Sequence, residues 1–251
     1  MENVHTYPKF TPEMKATHKI LIPNMAPIHF EMMRAAMEDE GYHVEVLGSG
    51  GHAVAQEGLK YVHNDTCYPA LLVIGQFINA LKSGKYDLDH TALLITQTGG
   101  GCRASNYLSL LRKALRQSGY GYVPVISLNF SNLEKQPGFT FTPGMLVQAM
   151  YAIIYGDMLM WLKNQCKPYE IIKGSTDEVV ECWTDALCEQ FESKAFLQVQ
   201  KNYRAILDDF SAIQRHREKK IKVGIVGEIY MKYAPLGNNN LEQFLIDEGA
   251  E

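Results

Sequence analysis

Short, almost uninterrupted apolar runs recur along the first half of the chain with stretches of helical periodicity between them, and this alternation restricts the fold more than any other feature. His18 to Ile22, Val44 to Leu47, Thr91 to Thr96 and Val123 to Leu128 are such runs, rich in Val, Ile and Leu. Strands of a parallel sheet read this way because both of their faces are buried. Between the runs, Ile28 to Gly41 has helical spacing, and Tyr68 to Ser83 puts Leu71, Leu72, Ile74, Phe77, Ile78 and Leu81 on a helix face. Ser105 to Ser118 is amphipathic in the same sense. Strand, helix and strand in repeated order is βαβ construction. The predicted fold class is α/β, with a parallel, doubly wound sheet of Rossmann or flavodoxin-like type.

The rest of the chain changes character. Thr142 to Asn164 predicts a long helix with Pro143 in its first turn, and Thr176 to Arg217 predicts one or two more, rich in Glu, Lys and Gln. Ile221 to Val226 predicts a strand, followed by Gly227, a turn over Pro235 to Asn240 and a helix from Leu241. Three parts are therefore expected: an α/β domain over residues 1–140, a helical segment over 141–220, and the start of a second α/β domain over 221–251. That last part ends with the apolar residues Leu241, Phe244 and Leu245 uncovered, which predicts a truncated domain.

A chain of 251 residues, 46% apolar and 21% charged, has an ordinary globular composition and can bury a core without disulfide or metal staples. Its net charge of −4 and scattered basic residues, apart from the run from His216 to Lys220, give no stripe for nucleic acid. The apolar stretches Ala70 to Ile78 and Met145 to Leu162 are too short or too interrupted to predict a bilayer span. The polar N-terminus lacks the apolar core of a secretory signal, so a cytoplasmic location is expected. In that reducing compartment an odd number of cysteines, five, argues against a disulfide framework.

Two of the five have chemical settings. Cys102 follows Gly99, Gly100 and Gly101 between a predicted strand and a predicted helix, at the sheet edge where open α/β folds bind ligands. A glycine run lets backbone N–H groups approach a thiolate or an anionic cluster closely. Cys67 precedes a predicted helix with Pro69 in its first turn. From the residues alone, both could be small buried thiols, metal or cluster ligands, or, for Cys102 beside Arg103, a nucleophile with lowered pKa. No general base is marked by spacing, and no catalytic residue is assigned. Zinc is disfavoured because no Cys-x-x-Cys pair occurs, although His63 lies four residues before Cys67. Cys166, Cys182 and Cys188 lack glycine turns and read as half-buried structural thiols. Gly48 to Gly51 lacks the Lys-Ser/Thr of a phosphate loop and reads as a plain turn.

The segments HNDTCYPALLVIGQF (63 to 77), LKSGKYDLDHTALLITQTGGGCRASNY (81 to 107), VPVISLNFSNLEKQPGF (123 to 139) and VGIVGEIYMKYAPLGNNNLEQFLIDEGAE (223 to 251) resemble the C-terminal, dehydratase-like region of large proteins related to the 2-hydroxyacyl-CoA dehydratase activases. In that family an ATPase domain couples hydrolysis to low-potential electron transfer into a dehydratase-like iron–sulfur component. The resemblance implies an iron–sulfur cluster, [4Fe-4S] or double-cubane, with Cys67 and Cys102 as its ligands. Gly99, Gly100, Gly101, Arg103, Ser105 and Asn106 would line it or face a docking partner. It also implies an ATPase activase domain or protein and a dehydratase-like protein as partners, with a second copy of the chain as another source of cysteines. The ATPase motifs are absent from this sequence, so the implied role is a component of an ATP-dependent reductase or dehydratase system. Two other expectations stand beside it: a cluster-free scaffold that binds a partner, and a cysteine-dependent enzyme.

Overall fold

The computed structural model describes residues 7–48, 51–63, 65–97, 103–128 and 136–251, without the side chains of Arg103 and Ala104. The chain divides into two compact units: residues up to Asn24 with Gly41–Phe141, and Met25–Glu40 with Thr142–Glu251.

The first unit opens with a single helical turn, α1 (Met14–Thr17), and strand β1 (Lys19–Ile22). Strand β2 (His43–Val46), helices α3 (His52–Tyr61) and α4 (Tyr68–Lys82), strand β3 (Thr91–Thr96), helix α5 (Tyr107–Gln117) and strand β4 (Val125–Leu128) follow. All four strands are parallel, in the order β2-β1-β3-β4. The chain therefore reverses its direction of travel across the sheet between β1 and β3, which is the doubly wound topology. Ile20, Leu21, Ala92, Leu93 and Ile126 are fully buried, as the continuous apolar runs require. Helix α4 is apolar nearly all round and buries Leu71, Leu72, Val73, Ile74, Phe77, Ile78 and Leu81.

Helix α3 was not legible as a helix. It buries only Val54 and Gly58, and a glycine inside a short weakly periodic stretch reads as a breaker. Its structural reason is contact with α4. A Cβ on Gly58 would meet the Leu71 carbonyl oxygen at 2.2 Å, and one on Gly75 would meet the Val54 carbonyl oxygen at 2.1 Å. The two helices cross backbone to backbone, which only glycine permits here. Gln136 ties the entering chain to the sheet: its Oε1 accepts from Phe10 N (3.1 Å) and its Nε2 donates to Val125 O (3.2 Å).

The second unit is helical. It combines α2 (Pro27–Asp39), which in sequence links β1 to β2, with α6 (Pro143–Cys166), α7 (Ser175–Ser193), α8 (Val199–Ala212) and the short helices α9 (Ile229–Tyr233), α10 (Pro235–Asn238) and α11 (Leu241–Asp247). Thr142 caps α6 by accepting from Met145 N, with Pro143 at its first turn. Met32 and Ala36 of α2, Ala152, Tyr155, Leu159 and Leu162 of α6, and Val180, Leu187 and Phe191 of α7 form one core with Ile206 and Phe210 of α8. Inside it the Tyr155 hydroxyl donates to Phe196 O (2.6 Å), while Asn202 Nδ2 donates to the Tyr155 oxygen (3.0 Å) and to Gln190 Oε1 (2.7 Å).

Two expectations meet a different structure in this unit. The helical run Pro143–Tyr169 extends past the stretch read from sequence and is long and apolar enough to cross a membrane; one side of it is core, and Leu146, Met150, Ile153, Ile154 and Trp161 are exposed. The predicted strand over 221–226 does not form. Ile221 makes one parallel bridge to Ala250, closed by Glu251 N to Ile221 O (2.8 Å) and Val223 N to Glu251 O (2.7 Å). Val226 is 94% exposed. An apolar run becomes a strand only when another strand supplies the ladder, and among the described residues none lies beside it.

Candidate functional site

In a doubly wound sheet the strand carboxyl ends carry the ligand site, at the position where the strand order reverses. Helices α4 and α5 both begin at this edge, because each returns the chain toward the start of the next parallel strand. Cys67 is the residue that caps α4. Its carbonyl oxygen accepts from Ala70 N (3.0 Å) and Leu71 N (3.4 Å). Its side chain makes no capping bond to the helix. Instead Sγ lies 3.0 Å from the hydroxyl of Tyr107, the first residue of α5. The thiol is half-buried at the start of the helix. A phenol in this position can donate to that sulfur when it is ionised.

The end of β3 is fixed by a polar chain. Ser127 Oγ donates to Gln97 Oε1 (2.8 Å), Gln97 Nε2 donates to the Ser105 carbonyl (2.9 Å), and Gln97 N donates to Leu128 O (3.0 Å). One glutamine thus links β3, β4 and the 3-10 turn Arg103–Asn106 that leads into α5. Asn106 caps α5 without a side-chain bond and is exposed. With Asp65, Thr66, Ser109, Leu110 and Lys113 it lines an open groove.

The sequence-predicted residues thus separate. Cys67, Ser105 and Asn106, with the backbone of Arg103, belong to this edge; Cys102, Gly99, Gly100 and Gly101 lie outside the described residues. His63 is exposed, its Nδ1 accepting from Asp65 N (3.2 Å). The other three cysteines are in the second unit. Cys166 is buried, receives Arg215 Nη1 (3.3 Å), and is pushed up in pKa by burial. Burial pushes Cys188 up to about 11 against the opposing pull of Arg34, and its Sγ donates to Glu31 O (3.7 Å). Neither is poised to be a thiolate. Cys182 is exposed rather than half-buried. Tyr107, Gln97 and Ser127 were missed from sequence. The available signals were a hydroxyl inside the apolar run VISL and a glutamine directly after a strand.

A soft thiol at a helix start is the donor type that iron and sulfide clusters take. The donor count is short, since a cubane takes four ligands and no group of three or more His, Cys, Asp or Glu side chains able to hold a metal occurs among the described residues. No family model, curated protein or solved structure matches the chain.

Proposed function

We propose that the chain is an iron–sulfur electron-transfer module, working in the cytoplasm with an ATPase activase and a dehydratase-like partner, as the sequence resemblance implies. The observation that carries the reading is the setting of Cys67. It holds a helix-capping position yet leaves its thiol uncommitted to the cap, beside Tyr107 and at the sheet edge used for ligands. Cys102, five residues before Tyr107 in sequence, is the second ligand in this reading. The remaining ligands come from a partner or from a second copy of the chain.

A cluster so held supplies one-electron chemistry at low potential. The chain's own contribution is to position it. Tyr107 offers a donor to sulfur, which would favour the reduced, more negative state of the bound group. Gln97 holds the turn before α5 in place. Asn106 and Lys113 give the groove a polar rim for a docking partner.

Iron and acid-labile sulfide, measured with an absorbance spectrum on protein purified and reconstituted without oxygen, test the reading. Stoichiometric iron and sulfide, lost in both Cys67→Ser and Cys102→Ser and kept in Cys188→Ser, are expected. A folded protein that stays colourless and metal-free after reconstitution, alone and with its partners, overturns it in favour of a cluster-free scaffold.

A further inference from the structure

We propose that a cleft in the helical unit, between the start of α2, the end of α6 and helices α9 to α11, binds a small phosphorylated molecule through Lys163, Lys167 and Lys232. The cleft measures about 360 Å³, within the range of small-ligand sites. Three lysines line it from three separate elements: α6, the turn that follows α6, and α9. Lys163 and Lys167 have side chains only 25% and 14% exposed, yet among the described residues they share a single counter-ion, Asp177, at 3.3 Å and 2.9 Å. Two cations largely withdrawn from water against one carboxylate leave a positive charge that burial makes costly. Lys232 adds another; it makes no ion pair among the described residues and lies over its neighbour Tyr233.

Glu242 is the one carboxylate among the described residues that line the cleft, so cations are in excess there even when Asp177 is counted. An anion entering the cleft would take hydrogen bonds from ammonium groups already held in place. Lys167 also donates to Gln243 Oε1 (2.7 Å), which fixes its direction. Phosphoryl oxygens suit such a site because they accept several charge-assisted bonds at once. Met160, Tyr233 and Pro235 also line the cleft and offer apolar surface to the organic part of the ligand. The inference is independent of the cluster reading, since none of these residues belongs to the sheet unit.

Titration of inorganic pyrophosphate into the intact protein, followed by calorimetry in buffer of physiological ionic strength, tests this site. One saturable binding event per chain is expected. Lys232→Ala and Lys167→Met should each weaken it roughly tenfold, the loss of about one charge-assisted contact. Lys201→Ala, on the exposed surface of α8, should leave it unchanged. Should Lys167→Met fail to fold, Lys232→Ala decides alone, because the Lys232 side chain makes no hydrogen bond among the described residues and only its backbone carbonyl, kept in alanine, accepts from Asn238. Absence of saturable binding, undiminished binding in Lys232→Ala, or equal weakening by Lys201→Ala overturns the proposal.

Discussion

The Sγ of Cys67 and the hydroxyl oxygen of Tyr107 stand 3.0 Å apart, across forty residues of sequence, and so join the first residue of α5 to the cap of α4. A hydrogen bond between neutral groups contributes about 1 kcal/mol net. Tyr107→Phe should therefore lower the unfolding free energy by about that amount. It should also speed alkylation of Cys67 in the folded protein, because the half-buried thiol loses a restraint. Peptide mapping after brief iodoacetamide treatment reads the rate at Cys67. An unchanged rate would mean that the contact does not hold the thiol.

The crossing of α3 and α4 leaves no room for a methyl group at either glycine. Gly75→Ala puts its Cβ 2.1 Å from the Val54 carbonyl oxygen, a backbone atom that cannot swing aside. The expected cost is about 3 kcal/mol, at the upper end of overpacking effects. Gly224→Ala, where nothing lies within 4 Å of the new Cβ, should be close to neutral. Denaturant midpoints of the two variants, compared with the parent, check the contrast. Similar midpoints for both would show that the helices can separate cheaply.

Acid should weaken the sheet unit through Glu45. Burial by itself would raise this carboxyl group, but hydrogen bonds from Lys85, Lys19 and Tyr86 outweigh it and bring the pKa from 4.5 down to about 2. A carboxyl group more acidic in the folded than in the unfolded chain stabilises the fold above its unfolded pKa. That contribution is lost as pH falls from about 4.5 toward 2. Glu45→Gln should be less stable than the parent near neutrality and lose less stability over that interval. Urea midpoints measured between pH 6 and pH 2 follow both proteins, and parallel curves would remove Glu45 as the cause.

The buried chain from Gln190 through Asn202 and Tyr155 to the Phe196 carbonyl predicts a large effect from a small change. Tyr155→Phe deletes one oxygen, leaves the Phe196 carbonyl without this donor and strips the Asn202 amide of one of its acceptors, with the weaker 3.4 Å contact to Ala195 O left beside Gln190. A loss of about 2 kcal/mol is expected. Tyr203→Phe should cost less, since that residue is only partly buried against the same core. Thermal unfolding of both variants checks the order.

The sheet was readable because its strands are buried on both faces. Ile20, Leu21, Ala92, Leu93 and Ile126 announce themselves as apolar runs whatever lies next to them, and α4 does so through its continuous apolar surface. What failed depends on partners distant in sequence. The stretch Ile221 to Val226 has the composition of a strand but pairs only through the Ile221–Ala250 bridge. Helix α3 exists because Gly58 meets Leu71, a contact that no periodicity encodes. At the candidate site, Cys67 was visible through its place before Pro69. Tyr107 was not, because only the folded sheet edge brings α5 to α4.

Helix α2 is made between two strands of one unit and buried in the core of the other. During synthesis its apolar face, with Met32 and Ala36, therefore emerges long before α6 and α7 exist to cover it. The chain must carry that face uncovered while β2, β3 and β4 are still being added. No single cut yields both units whole, so dissection of the molecule requires either a circular permutation or a linker that reconnects Asn24 to Gly41.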